Sequence, residues 1–386
     1  MGLSGWLMRW ASVRPLVVTG VYGTRTRLLV EAEMARRGWA VALSPGEANL
    51  VVVCGVPGEG LAQAIRVVWE EVAGPRALVE LLSDATPDVV VAALDGAVVA
   101  LADEPGQRRA AAEREPPSWP MDHGMDHGGM GHGGHEHHMG SPGGVAMADR
   151  GPDRDGLKLD RLHVPLGPVL ADWPSGLVVE TVLQGDVIQQ ATVHVVGGVA
   201  GGVSFWDEPW VAALEGRPVT RGEAERRRAA SHLDSIGRLL AVAGWPSAAM
   251  EARWLRDRTL AGESRADLSR DHARFARRVR RSKILAWMLR GVGTSAGPGA
   301  SPEEDVLSRL RRWLDRTGDA MSALDDTTPL VGDDGPRGPV GERPSAAALA
   351  VLPRLLDGAE LAAARLIVAG LDPDLDQLAQ EPLHAV

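Results

Sequence analysis

The stretch ANLVVVCGVP (48–57) carries five consecutive apolar residues, Leu50 to Cys54, closed by a glycine. It is followed at once by EGLAQAIRVVWEEV, whose apolar positions recur every three or four residues. A strand that is apolar on both faces must be covered on both faces, and a parallel sheet flanked by helices provides that cover. This feature commits residues 15–102 to an α/β domain with a flavodoxin-like parallel sheet. RPLVVTG reads as a strand, RTRLLVEAEMARRG as an amphipathic helix ending at Gly38, and WAVALSP as a second strand. RALVELL and PDVVVAALDGAVVAL, both rich in Val and Leu, are expected to add further strands. The loops after the strands, TGVYGTRT, CGVPGEG and LLSDATPD, hold neither GxGxxG nor GxxxxGK[ST], so no nucleotide site is signalled.

Beyond this unit the texture breaks. Residues 103–156 are polar and rich in Pro, Gly and His, which marks a linker. From 157 an α+β domain is expected, running to 386. It opens with β-hairpins, one turning at Gln184-Gly185-Asp186, and continues as a mainly helical body. GEAERRRAASHLDSIGRLLAVAGW, MEARWLRDRTLAG, SRDHARFARRVRRSKILAWMLRGVG and PEEDVLSRLRRWLDR each read as one helix. The segment AAALAVLPRLLDGAELAAARLIVAG reads as a last one.

The net charge of −10 argues against a general nucleic-acid binder, which needs surplus Lys and Arg to displace phosphate counterions. The single cysteine, Cys54, excludes an internal disulfide and any all-cysteine iron–sulfur or zinc site within this chain. In its apolar strand it reads as a small buried hydrophobe. No secretory signal and no membrane-spanning run is evident. At the N-terminus, Leu3, Trp6, Leu7 and Trp10 form one apolar face of a short helix (1–14). It suits either a membrane interface or the protein's own core. RRVRRSKILAWMLRGVG (277–293) concentrates positive charge ahead of an apolar run, which suits anionic lipid, an acidic partner or simple solvation.

Several stretches resemble, in order, two components of respiratory complex I (NADH-quinone oxidoreductase), here fused in one chain. WASVRPLVVTG and SPGEANLVVVCGVPGEGLAQAIRVVWEEVAGPRALVEL resemble the B-type component, relative of the small subunit of nickel–iron hydrogenases. The matching positions are Ser44, Pro45, Ala48, Gly55, Arg66, Trp69, Pro75 and Arg76. GPVLADWPSGLVVETVLQGDVI, ERRRAASHL and RPSAAALAVLPRLLDGAELAAARLIVAGLD resemble the D-type component, relative of the hydrogenase large subunit. There the matches are Glu225, Arg228, Ser231, His232 and Leu233, then Arg343, Pro344, Ser345, Leu371 and Asp372.

The resemblance implies redox centres that this sequence does not provide for. The adjacent cysteine ligands of the B-type component fall near Tyr22-Gly23, and a later one near Ser83-Asp84. No CxxC exists for the hydrogenase metal. The quinone-facing His of the D-type component falls near Leu170-Ala171, and no Tyr follows Tyr22 to serve as the quinone-binding Tyr. No catalytic or cofactor-binding residue is therefore assigned. Glu225 and Arg228, three apart, are read as an ion pair, and His232 as a hydrogen-bonded core residue. Asp153, Arg154 and Asp155 read as a solvated turn.

The linker holds MDHGMDHGGMGHGGHEHHMG, with His123, His127, His132, His135, His137 and His138 interleaved with Met and Gly. Such a tract suits Zn, Ni or Cu at low specificity, or simple solvation, because nothing fixes a geometry. The expectation is a cofactor-free, cytoplasmic subunit peripheral to the inner (plasma) membrane. It would belong to a complex I-like or antiporter-like assembly, with a structural or coupling role. The alternatives are a docking or quinone-pocket component of a redox complex, and a His-rich metal-handling accessory protein.

Overall fold

The computed structural model describes residues 12–114, 150–152, 158–196, 202–294 and 304–379. The first unit is a three-stranded parallel sheet, β1 (Pro15–Thr19), β2 (Leu50–Cys54) and β3 (Ala77–Leu81), in that spatial order. β2 is central and buried at all five positions, which is why its run is continuously apolar. Its alternate residues serve two cores. Leu50, Val52 and Cys54 meet α1 (Thr24–Arg36) and α3 (Pro87–Ala102) on one face. Val51 and Val53 meet Leu61 and Ile65 of α2 (Glu59–Glu71) on the other.

Two expected strands of this unit are not strands. WAVALSP forms no strand; residues 45–47 make a short 3-10 turn, and one bond, Ala42 N–H to Pro15 O at 2.8 Å, is all that reaches the start of β1. Pro45 has no amide hydrogen to donate and directs the chain into the turn. PDVVVAALDGAVVAL is helix α3, with Pro87 in its first turn. Its Val-rich composition favours a strand locally, but Val90, Leu94, Ala97 and Leu101 fall on one helical face and bury against the sheet. Tertiary burial outweighs the small intrinsic preference.

The described ends of the 103–156 segment are regular. α4 (Glu104–Ala112) is tied back by the Gln107 side chain, which accepts from Arg76 N–H and donates to Arg76 O. β4 (Arg150–Pro152) pairs antiparallel with the next strand. The histidine tract 121–140, the N-terminal residues Leu3, Trp6, Leu7 and Trp10, and Asp153, Arg154 and Asp155 lie outside the described residues.

The second unit opens with an antiparallel sheet of β4, β5 (Lys158–Leu166), β6 (Leu177–Gln184) and β7 (Val187–Val195). The β6–β7 turn lies at Gly185-Asp186, with Gly185 at φ 63°, where glycine bears no Cβ penalty. One face of this sheet packs on α11 (Pro344–Leu356) and α12 (Leu361–Leu371) through Leu177, Val179 and Ile188 against Leu352, Leu356 and Ile367.

α5 (Glu208–Leu214) precedes the helical body, which is built round α6 (Arg221–Val242). A Thr220/Glu223 capping box starts α6, and 13 of its residues are buried, as expected of a central helix. α7 (Pro246–Leu260), α8 (Arg265–Arg281), α9 (Lys283–Leu289) and α10 (Val306–Ser322) pack around it. Two expected single helices are each two. SRDHARFARRVRRSKILAWMLRGVG breaks at Ser282, whose hydroxyl caps α9 by accepting from Leu285 N–H at 3.3 Å. The last expected helix breaks at 357–360, where Gly358 at φ 75° turns the chain and Ile188 of β7 bonds to both Gly358 and Ala359. The short hairpin β8 (Asp334–Gly335) and β9 (Gly338–Pro339) and the final turn α13 (Asp376–Ala379) complete the unit.

Candidate functional site

The two units meet through a buried lattice of charged side chains. α1 contributes Arg27 and Glu31, α6 contributes Asp234 and Arg238, and α7 contributes Arg256. Asp234 is the hub. It accepts from Arg27 at 2.8 Å, from Arg256 at 2.6 Å and from Arg238 at 3.1 Å. Glu31 bridges the same two deepest arginines, 2.7 Å from Arg27 and 2.6 Å from Arg256. The Arg256 side chain is 0% exposed and also pairs with Asp257 at 2.7 Å. Charges buried this deeply require full pairing, since one unpaired ion costs several kcal/mol. Burial acts to raise both carboxyls, but the arginines outweigh it: Glu31 is held down to about 2, and Asp234 well below the carboxylate range.

The lattice continues through Arg238, 3.5 Å from Asp372. Asp372 sits in the left-handed region at φ 42°, accepts from Ser235 Oγ at 2.6 Å, and is clamped by Arg337, which also donates to Ser231 Oγ at 3.0 Å. After Asp372 the chain runs PDLDQ. Asp374 accepts from Ser204 Oγ, Asp376 accepts from the Tyr22 amide at 2.8 Å, and Gln377 donates to Asp207 at 2.8 Å. Ser345 joins this segment by donating to Gln377 Oε1 at 2.6 Å and accepting from the Asp374 amide at 2.9 Å. Burial, then the charge of Asp374, raises Asp376 to about 7 and Asp207 to about 6. A cavity of about 100 Å³ lies among these groups, walled by Arg27, Glu31, Asp172, Arg238, Arg337 and Asp374.

This junction can hold two domains in one relative position and can change its proton content near neutral pH. It offers no thiolate. The Cys54 thiol is buried in β2 and burial pushes it far up. Nor do the residues present fit a cluster at Tyr22-Gly23. A Cβ placed on Gly23 would overlap the Cys54 carbonyl oxygen, so no side chain, thiol included, is accommodated there. Among the described residues, no group of three or more His, Cys, Asp or Glu is placed to hold a metal ion.

Of the residues singled out from the family pattern, Asp372 and Ser231 lie in the lattice. Glu225 and Arg228 pair at 3.1 Å, and Arg228 also donates to Gly335 O at 3.0 Å, holding the β8–β9 hairpin against α6. His232 is buried, and among the described residues its Nε2 has no hydrogen-bond partner, where a hydrogen-bonded core residue was expected. Sequence reading passed over Arg27, Asp234, Arg256 and Arg337. One available signal was Asp234 itself, an acidic residue among Leu233, Ile236, Leu239 and Leu240 on a buried helix face. Another was the alternation of Asp372, Asp374 and Asp376.

No protein-family model and no curated protein matches the chain. Among solved structures, the chain is similar to one in the membrane-bound sulfane sulfur reductase, an archaeal respiratory membrane complex. The match has 15% identity and a TM-score of 0.42, and it covers 56% of this chain and 98% of that one.

Proposed function

We propose that this chain is a peripheral subunit of a complex I-like or antiporter-like membrane assembly, on the cytoplasmic side, and that it couples shape change and not electrons. The observation that carries the reading is the Arg27–Asp234–Arg256–Glu31 lattice, which joins the N-terminal α/β unit to the C-terminal α+β unit through paired buried charge. A fold kept without its chemistry is consistent with a mechanical role, because function resides in the site and not the fold. The sequence resemblance supplies the class of partner, membrane subunits of such an assembly. Among the described residues, no helix is long and apolar enough to cross a membrane.

The face that would meet the membrane is α9. Ile284 and Trp287 are 74% and 78% exposed on it, with Arg277, Arg281, Lys283 and Arg290 exposed around them. Apolar side chains ringed by cations suit an anionic lipid surface.

The test is affinity purification of the full chain from membranes in mild detergent, with mass spectrometry of partners and metal and flavin analysis of the same sample. Co-purifying membrane subunits of this class, without stoichiometric iron or flavin, is the expected result. A redox-loaded complex would favour a docking or quinone-pocket role. A soluble monomer carrying nickel, copper or zinc would overturn the reading and shift attention to the histidine tract.

A further inference from the structure

A second cavity, of about 280 Å³, lies on the other side of Arg337, between α6, α10 and the start of α11. Its chemistry is one-sided. Arg309, Arg312 and Arg316, at i, i+3 and i+7 on α10, share one helix face and all line it. Arg337 closes the inner end. The one carboxylate in the wall among the described residues, Asp372, is already engaged by Ser235, Arg238 and Arg337. Arg312 reaches Glu304 at its outer side. Arg316 has no acidic partner within ion-pair distance among the described residues. The repulsion between neighbours is visible in Arg312, whose affinity for its proton is lowered by burial and then by Arg316.

The second observation is His232. It lines the same cavity from α6, is almost fully buried, and leaves Nε2 without a partner. A buried imidazole nitrogen with no partner is costly, and such a group is normally satisfied. A neutral imidazole can donate from one ring nitrogen, and burial followed by the surrounding arginines keeps this ring neutral.

We propose that this cavity binds a phosphate group, with Arg312 and Arg316 contacting its oxygens and His232 Nε2–H donating to it. Arginine suits this ligand because its planar fork matches two oxygens at once. The cavity borders the outer end of the lattice through Arg337 and Asp372, and the inference does not depend on the proposed role in a membrane assembly. Free inorganic phosphate and the phosphate of a lipid headgroup present the same chemistry.

The test is titration calorimetry of the full chain with inorganic phosphate, against a chloride control. Alongside it, the chain is titrated with a short-chain, water-soluble phosphatidic acid below its micelle concentration, so that the exposed face of α9 meets no bilayer. Saturable binding in either arm is expected, weakened at least tenfold by Arg316→Ala and abolished by the Arg312→Ala/Arg316→Ala pair. Both side chains are partly or fully exposed, so these variants keep the fold. Arg274→Ala, on an exposed face of α8, is expected to bind as wild type. Response to phosphate in solution assigns a free anion, and response only to phosphatidic acid assigns a headgroup. A ring-nitrogen NMR shift of His232 on binding is the accompanying signature. Absence of binding in both arms, or binding that survives the double variant, would overturn the proposal.

Discussion

Asp234→Asn tests whether the lattice holds the two units together. The substitution keeps shape and removes one charge. In the native protein that carboxylate faces Arg27 at 2.8 Å, Arg256 at 2.6 Å and Arg238 at 3.1 Å. Without it, Arg27 retains Glu31, Arg238 retains Asp372, and the fully buried Arg256 retains Glu31 and Asp257. Breaking a buried pair from one side leaves uncompensated charge and costs about 3–5 kcal/mol. The paired control is Arg25→Ala. Arg25 also crosses the junction, 2.8 Å from Glu208, but the two side chains are 50% and 36% exposed. Such a pair is worth at most about 1 kcal/mol.

The assay is urea unfolding followed by tryptophan fluorescence and far-ultraviolet circular dichroism at several pH values. The sign follows from the depressed carboxyl. A folded-state pKa below the unfolded one contributes stability above the unfolded value and loses it as pH falls through the folded value. The penalty of Asp234→Asn is therefore expected to be constant between about pH 6 and 8 and to shrink only in strong acid. A penalty no larger than that of Arg25→Ala would refute the reasoning.

Asp376 works in the opposite direction. Raised to about 7, it contributes stability that is complete below its ordinary range and is lost as pH rises toward 7. The accompanying loss is about 2–4 kcal/mol, shared with Asp207, and Asp376→Asn should flatten the stability profile between about pH 5 and 8. Denaturation midpoints at the two pH values check this, and an unchanged slope would count against it. Gly23→Cys, which would place a thiol where the sequence resemblance puts a cluster ligand, is expected to destabilise the protein by about 1–3 kcal/mol or more and to bind no iron, because its Cβ overlaps the Cys54 carbonyl. Melting temperature and iron analysis after reconstitution check it. Trp287→Glu should weaken co-sedimentation with anionic vesicles about tenfold while leaving the melting temperature unchanged, since the side chain touches little of its own fold.

What the sequence determined by itself is what local periodicity encodes. The continuous run of β2, the turn at Gly185-Asp186, the apolar stripe and capping residues of α6 and the body of α10 all follow from spacings within a few residues. The shortage of cysteine for a cluster and of tyrosine for a quinone was equally legible, because both can simply be counted. Tertiary structure decided the rest. PDVVVAALDGAVVAL has residues suited to either element, and only the sheet face that Val90 and Leu94 must cover makes it a helix. The break at Ser282 is a local cap, whereas the one at Gly358 depends on a contact with distant β7. The lattice is the sharpest case. Arg27 and Asp234 lie 207 positions apart, and the chain has 41 basic and 51 acidic residues with which either could in principle pair. A charge carries no address in sequence. Only burial selects its partner, because in the low-dielectric junction an unmatched charge is too costly to remain.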